Sequence, residues 1–194
     1  MSFDMFQEIL RKSLHFALGF VIIFVGLSIN DEQTKRLAMV IAFGFLIFFM
    51  LLEYFRIEFN VKIPVYDMFI RKKEKDRFNG LVHGLLAFVI IFTFYRYEIA
   101  LAALAMAVFS DAFAALVGRH LKGPKLFKKK TIIGSTAALI ANLIIGIIFL
   151  SNIIMIVVMA LVATLVELYV DKIDDNLVVP IFTGLAGQLI YLLL

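Results

Sequence analysis

Long apolar runs separated by short polar stretches set the pattern of the chain. Seven runs stand out, at residues 13–29, 37–55, 80–95, 98–117, 132–150, 153–170 and 177–194. They are too long for strands, and most approach the roughly 20 apolar residues that cross a bilayer as a helix. The third is short and relies on its flanks or on little tilt. No proline interrupts the first six, and Pro180 falls in the first turn or so of the seventh, where a missing N–H costs little. The pattern predicts an all-α fold: a polytopic membrane helix bundle with about seven transmembrane helices, one transmembrane domain over residues 1–194.

The polar breaks give the bundle a direction. With seven crossings, the N-terminus shares one side with the second, fourth and sixth loops. Sixteen Lys and Arg residues fall there, from Arg11 and Lys12 to Lys172, against only Lys35, Arg36 and Arg96 on the other side. By the positive-inside rule the basic side is cytoplasmic. The N-terminus is then inside and the C-terminus outside.

Composition agrees. Hydrophobic residues make up 63% of the 194 and charged residues 18%. Mean hydropathy is +1.00. A soluble domain carries about 25% charge, so soluble and disordered classes are excluded, and no room remains for a separate soluble domain. Cysteine is absent, which excludes disulfides and thiolate metal sites. Asp4 and Glu8 precede the first basic pair and no small-residue cleavage site follows, so the N-terminus does not read as a removable signal peptide. The second loop, about 56–79, is either a basic amphipathic segment lying in the interface or a charged loop that only sets topology.

Ionisable groups at membrane depth are costly and therefore informative. His15, Glu53, His83, Asp111 and Glu167 all lie in spans, and all toward the cytoplasmic end. A transporter usually places such groups near the midplane. This gathering on one side favours a site open to the cytoplasm. Asp111 lies roughly 10 Å deep at 1.5 Å per residue. Ala107, Asp111, Ala114 and Gly118 share a helix face, a seam of small residues that lets helices approach and leaves room for a ligand. The alternative is a buried Asp paired with a cation for packing.

The fifth span begins after Lys128, Lys129, Lys130 and Thr131, with Gly134 and Ser135 in its first turn. A helix N-terminus attracts anions. With Arg119, Lys122 and Lys125 from the preceding loop, the stretch reads as a polyanion cradle, or simply as a charged loop ending in a cap. Glu167, Asp171, Asp174 and Asp175 supply the opposite sign, on one face if the sixth helix continues. Carboxylates beside phosphates suit Mg²⁺ or another divalent cation. The bland reading is a solvated acidic loop, with Asn176 capping the last span. Glu8, Arg11, Lys12 and His15 share a face and either clamp a phosphate or anchor the chain at the interface. A buried Asp, a basic helix start and an acidic cluster are the parts of phosphoryl transfer. No GxxxxGK[ST] run and no protein-kinase Gly-rich loop occurs. The apolar content implies a lipid acceptor. No nucleic-acid partner is expected, and the oligomeric state stays open.

Three motifs carry a resemblance. The run SDAFAALVGRHLKGPKLFKKKTIIGSTA, residues 110–137, resembles the central motif of the polyprenol (dolichol), phytol and diacylglycerol kinase family of membrane enzymes. ELYVDKIDDNLVVP, residues 167–180, resembles its second motif, and EILRKSLHF its N-terminal Arg-Lys-x-x-His. The resemblance implies a kinase that uses CTP and a divalent metal to phosphorylate a lipid alcohol at the cytoplasmic face. It implies Asp111 as catalytic or metal carboxylate, and Arg119, Lys130, Gly134 and Ser135 at the CTP phosphates. The neighbouring Lys125, Lys128, Lys129 and Thr131 join them on the nucleotide side. Glu167, Asp174, Asp175 and Asn176 complete the metal and nucleotide site, with Arg11, Lys12 and His15 beside it. Ser110 stands where Gly is usual and Thr131 where Ser is usual. A CTP:phosphatidate cytidylyltransferase or CDP-archaeol-type synthase, and a non-catalytic transporter or lipid-binding protein, are the competing readings.

Overall fold

A computed structural model describes residues 31–61, 63, 66, 70, 74–121, 123–128, 130–170 and 173–194, with residues 13, 17, 19, 20, 24 and 28 before them. At position 119 only the backbone is described. Six helices occur among the described residues: α1 (Glu32–Phe59), α2 (Gly80–Phe94), α3 (Tyr97–His120), α4 (Ile132–Phe149), α5 (Ile153–Tyr169) and α6 (Asp175–Leu193). They match the last six apolar runs. The first run, 13–29, falls largely outside the described residues. Four helices are long and apolar enough to cross a membrane: α1, the Tyr97–Gly118 part of α3, α4 and α6. Helices α2 and α5 are apolar but shorter.

The chain divides into two compact units, Met1–Val89 and Ile90–Leu194. In the first unit, Asp31 caps α1 by accepting from the Thr34 amide at 2.7 Å. Near the other end of α1, Glu53 is fully buried and pairs with Arg56 at 2.7 Å. The same guanidinium donates to the backbone carbonyls of Glu74, Lys75 and Arg77, which ties the 74–77 turn to the helix end. A planar fork with five donors suits this task, which a lysine could not perform. Asn79 caps α2 through the Val82 amide and donates to the Tyr66 hydroxyl at 2.8 Å. Burial, and then the nearby Glu53 carboxylate, push the Tyr66 phenol above its usual range. His83, one of the costly residues of the sequence, meets the Asn79 carbonyl through Nδ1 at 2.9 Å.

The second unit is a bundle in which α3 touches α4, α5 and α6. Its Ile99–Met106 stretch is buried all round. Alanine at 100, 102, 103 and 105 lets neighbours come close on every side. Glycine serves the same end on α6, where a Cβ at Gly184 would strike the Tyr95 ring at 2.5 Å. Beyond α3 the chain forms a small antiparallel hairpin, β1 (Lys125–Phe127) and β2 (Lys130–Thr131), where the apolar pattern predicts only a charged loop. Lys128 turns it with a left-handed φ of 51°.

Two expectations need correction. Helix α5 ends at Tyr169, so Glu167, Asp174 and Asp175 do not share one continuing helix face. A cap at Asn152 starts α5 too late, and a stop at Val170 ends it too early, for a longer run. The cap of α6 is Asp174, whose carboxylate accepts from the Asn176 amide at 3.0 Å; Asn176 itself lies inside the helix. Pro180 consequently sits past the first turn, inside α6 and buried.

Candidate functional site

At the end of the second unit where α3 and α5 finish and α4 begins lies a cavity of about 340 Å³. Asp111, Ala114, Ala115 and Gly118 of α3 form one wall. Lys130, Thr131, Gly134, Ser135 and Ala138 form the second, from β2 into α4, and Thr164, Glu167 and Leu168 of α5 the third. The spacing along α3 is helical, so the small seam read from the sequence is the cavity wall, with Asp111 upon it.

Local chemistry holds each wall. Thr131 ends the hairpin in extended backbone and caps α4, its hydroxyl accepting from the Gly134 amide at 3.1 Å. The Ile132 amide donates to the Pro124 carbonyl at 3.0 Å, which closes the hairpin against the helix start. Gly134 is buried where α3 and α4 cross: a Cβ there would lie 3.0 Å from the Ala114 carbonyl and 3.1 Å from the Thr131 hydroxyl. Gly118 is the partner small residue, with its Cβ position 3.4 Å from the Gly134 Cα. These glycines serve the helix crossing, and the Gly134 amide is directed to the cap.

Glu167 organises the opposite wall. It is buried, and its Oε2 accepts from the Ser110 hydroxyl at 2.7 Å. Lys130 Nζ donates to the Glu167 backbone carbonyl. Lys130, Asp111 and Asp175 all act on the Glu167 carboxylate by charge, the first with opposite sign and the others with like sign. The side chains facing the cavity thus offer oxygen donors and one ammonium, with no sulfur ligand. An oxygen set with two carboxylates suits a hard divalent cation that also takes phosphate oxygens and water. Among the described residues, no group of three His, Asp or Glu side chains is placed to hold a metal by itself.

The sequence-predicted residues divide accordingly. Asp111, Lys130, Thr131, Gly134, Ser135 and Glu167 come together at the cavity. Lys125 and Lys128 are exposed on the hairpin, where Lys128 lies over the Phe127 ring at 5.6 Å, and neither lines the cavity. Asp174, Asp175 and Asn176 begin α6 and are not in its lining. Arg11, Lys12, His15, Lys122, Lys129 and Asp171 lie outside the described residues, as does the Arg119 side chain.

Two polar features had not been singled out as site residues. Ser110 was a departure from a motif, and its use is to hold Glu167. Thr164 lines the cavity on α5, and its hydroxyl joins it to Asn142 on α4 at 3.1 Å. The helical spacing of Thr164 to Glu167 would have placed both on one face; the pairing with Asn142 has no local signal.

The cavity can be set beside known proteins. The chain is 28% identical over 145 residues to CTP-dependent diacylglycerol kinase 1 of Eremothecium gossypii, covering 71% of this chain and 44% of that protein. It is 29% identical over 149 residues to the protein of the same name in Saccharomyces cerevisiae, covering 71% and 49%. A probable chloroplastic phytol kinase of Triticum aestivum is 30% identical over 139 residues, covering 62% and 46%. The chain spans a little under half the length of these relatives. No protein-family profile and no solved structure matches it. The relatives found by sequence comparison thus carry the names of diacylglycerol and phytol kinases, two of the lipid kinases that the three motifs resemble.

Proposed function

We propose that this chain is a CTP-dependent kinase that transfers the γ-phosphate to the hydroxyl of a membrane lipid alcohol, a diacylglycerol or an isoprenoid alcohol of the polyprenol or phytol type. The observation that carries the reading is a cavity lined together by Asp111, Glu167, Lys130 and the capped start of α4. The names of the relatives support CTP as donor and a lipid as acceptor.

In this reading the lipid hydroxyl attacks the γ-phosphorus, the bond to the β-phosphate oxygen breaks, and CDP leaves. Asp111 orients the hydroxyl and takes its proton. Lys130 offsets charge on the phosphates, a role worth most in a site shielded from water. Ser135 and the start of α4 hold the phosphate chain, the dipole end favouring its charge. Glu167, fixed by Ser110, holds the second wall. Asp111 and Glu167 would hold a divalent cation, which would supply positive charge to offset that of the phosphates. The basic residues of the hairpin support a cytoplasmic site by the positive-inside rule. Arg11, Lys12, His15, Arg119, Lys129, Asp174, Asp175 and Asn176 remain proposed neighbours on the strength of the motifs.

The test is a pair of labelled nucleotides. CTP labelled at the γ-phosphate gives labelled lipid if the chain is a kinase. Transfer from the α-labelled nucleotide instead makes it a cytidylyltransferase. Transfer from neither, with purified protein, Mg²⁺ and a panel of lipid alcohols, sinks both.

A further inference from the structure

Below the cavity, two polar side chains meet inside the apolar part of the bundle. Asn142 is fully buried on α4, one turn beyond the lining residue Ala138. Its Nδ2 donates to Thr164 Oγ1 at 3.1 Å, and that hydroxyl donates in turn to the Ala160 carbonyl at 2.8 Å. The chain of donors fixes the amide orientation. A threonine hydroxyl has one hydrogen, and Ala160 takes it, so toward Asn142 the oxygen only accepts. The amide must therefore present its NH₂ to Thr164. Its Oδ1 is then turned elsewhere, and it has no hydrogen-bond partner among the described residues.

A buried acceptor left unmatched costs about 1–3 kcal/mol, and more where no water can reach it. Such a group calls for an explanation, and a partner that arrives from outside is one. An acceptor takes only a donor. Phosphate oxygens at neutral pH offer none, and ester carbonyls offer none. A hydroxyl does. Asn142 lies in the interior of α4, roughly 15 Å from its start at 1.5 Å per residue. That depth disfavours the ribose and base of a nucleotide, which carry hydroxyl and amine donors but are strongly hydrated. It suits a hydroxyl carried on an apolar tail.

We propose that Asn142, oriented by Thr164, is the entry subsite that receives the hydroxyl of the acceptor lipid from the apolar side, before that hydroxyl passes to Asp111 in the cavity. The proposal rests on the kinase reading for its substrate class, and it assigns the recognition of that substrate to residues outside the three motifs. Asn142 is a positioning residue in this scheme. It selects lipids with a free hydroxyl over those in which the hydroxyl is capped.

The experiment measures binding without nucleotide, by the shift in thermal unfolding in detergent, of a long-chain primary alcohol and of its methyl ether. The wild type should bind the alcohol about tenfold more tightly, the scale of one hydrogen bond to a buried partner. Asn142→Leu removes the acceptor and keeps the bulk, and should bind both equally while unfolding no earlier than wild type. Thr164→Val, which removes the oriented partner, should lose the same preference and serves where the leucine variant does not fold. No preference in the wild type overturns the subsite, as does a preference that survives in the variants; a water molecule satisfying Oδ1 predicts the latter. The γ-label assay is run in parallel. Alcohol preference that needs Asn142 without phosphate transfer leaves the subsite standing and sinks the kinase. Transfer with an Asn142-independent preference does the reverse.

Discussion

At the scale of single residues, the cavity turns on two carboxylates with different surroundings. Asp111 stands on a wall of small residues, and Glu167 is held by Ser110 and approached by Lys130. Asp111→Asn keeps the shape and removes the proposed base. Lipid phosphorylation should fall by at least about a hundredfold, the usual lower bound for a general base, while the thermal unfolding profile in detergent stays unchanged. Turnover near wild type would remove Asp111 from the chemistry. Ser110→Ala makes a different prediction. It takes a donor from a buried carboxylate, and the chain should lose about 1–2 kcal/mol in unfolding measurements. Asp111 was legible in the sequence because a carboxylate at membrane depth needs a reason. The Ser110 bond was not, since its partner lies 57 residues away and no local spacing reports it.

At the scale of elements, six of the apolar runs became helices with ends shifted by a few residues. Apolar periodicity reports length well and ends poorly. The ends here are set by polar atoms: Thr131, Asn152 and Asp174 each accept from an amide two or three residues on. Asn176 was a reasonable cap by residue type, and Asp174 takes the role because α6 begins at Asp175, which puts Asn176 inside its first turn. The hairpin was not legible, because strands of three and two residues are too short to show alternation. Gly134 was expected to bare the backbone for a phosphate, and its surroundings give it a packing duty at the α3–α4 crossing. Gly134→Ala tests that duty. Its Cβ would press on the Ala114 carbonyl, a backbone atom that yields little. The variant should be destabilised by about 1–3 kcal/mol, as for other overpacked contacts, seen as earlier thermal unfolding. Stability equal to wild type would show that the crossing has slack, and the glycine would then need another explanation.

At the scale of the whole molecule, the distribution of charge makes the strongest claim still open to a direct test. Sixteen of 19 basic residues fall on the side assigned to the cytoplasm, and the hairpin at Lys125–Thr131 belongs to it. The loop at Ser151, between α4 and α5, is on that assignment on the other side. One span, α4, separates them, and it is among the helices long and apolar enough to cross. The chain has no cysteine, so a single introduced thiol reports its own position with no background. Leu126→Cys and Ser151→Cys both replace exposed residues outside the helices and outside the cavity lining. In intact cells, a membrane-impermeant maleimide should label position 151 and leave 126 unlabelled until the membrane is opened. The reverse pattern inverts the bundle and puts the cavity on the outer face, away from any cellular CTP. Labelling of both from one side would mean that α4 does not span, and its apolar length would then belong to a buried helix. The same two variants should keep γ-phosphate transfer, so that the topology is read from an active protein.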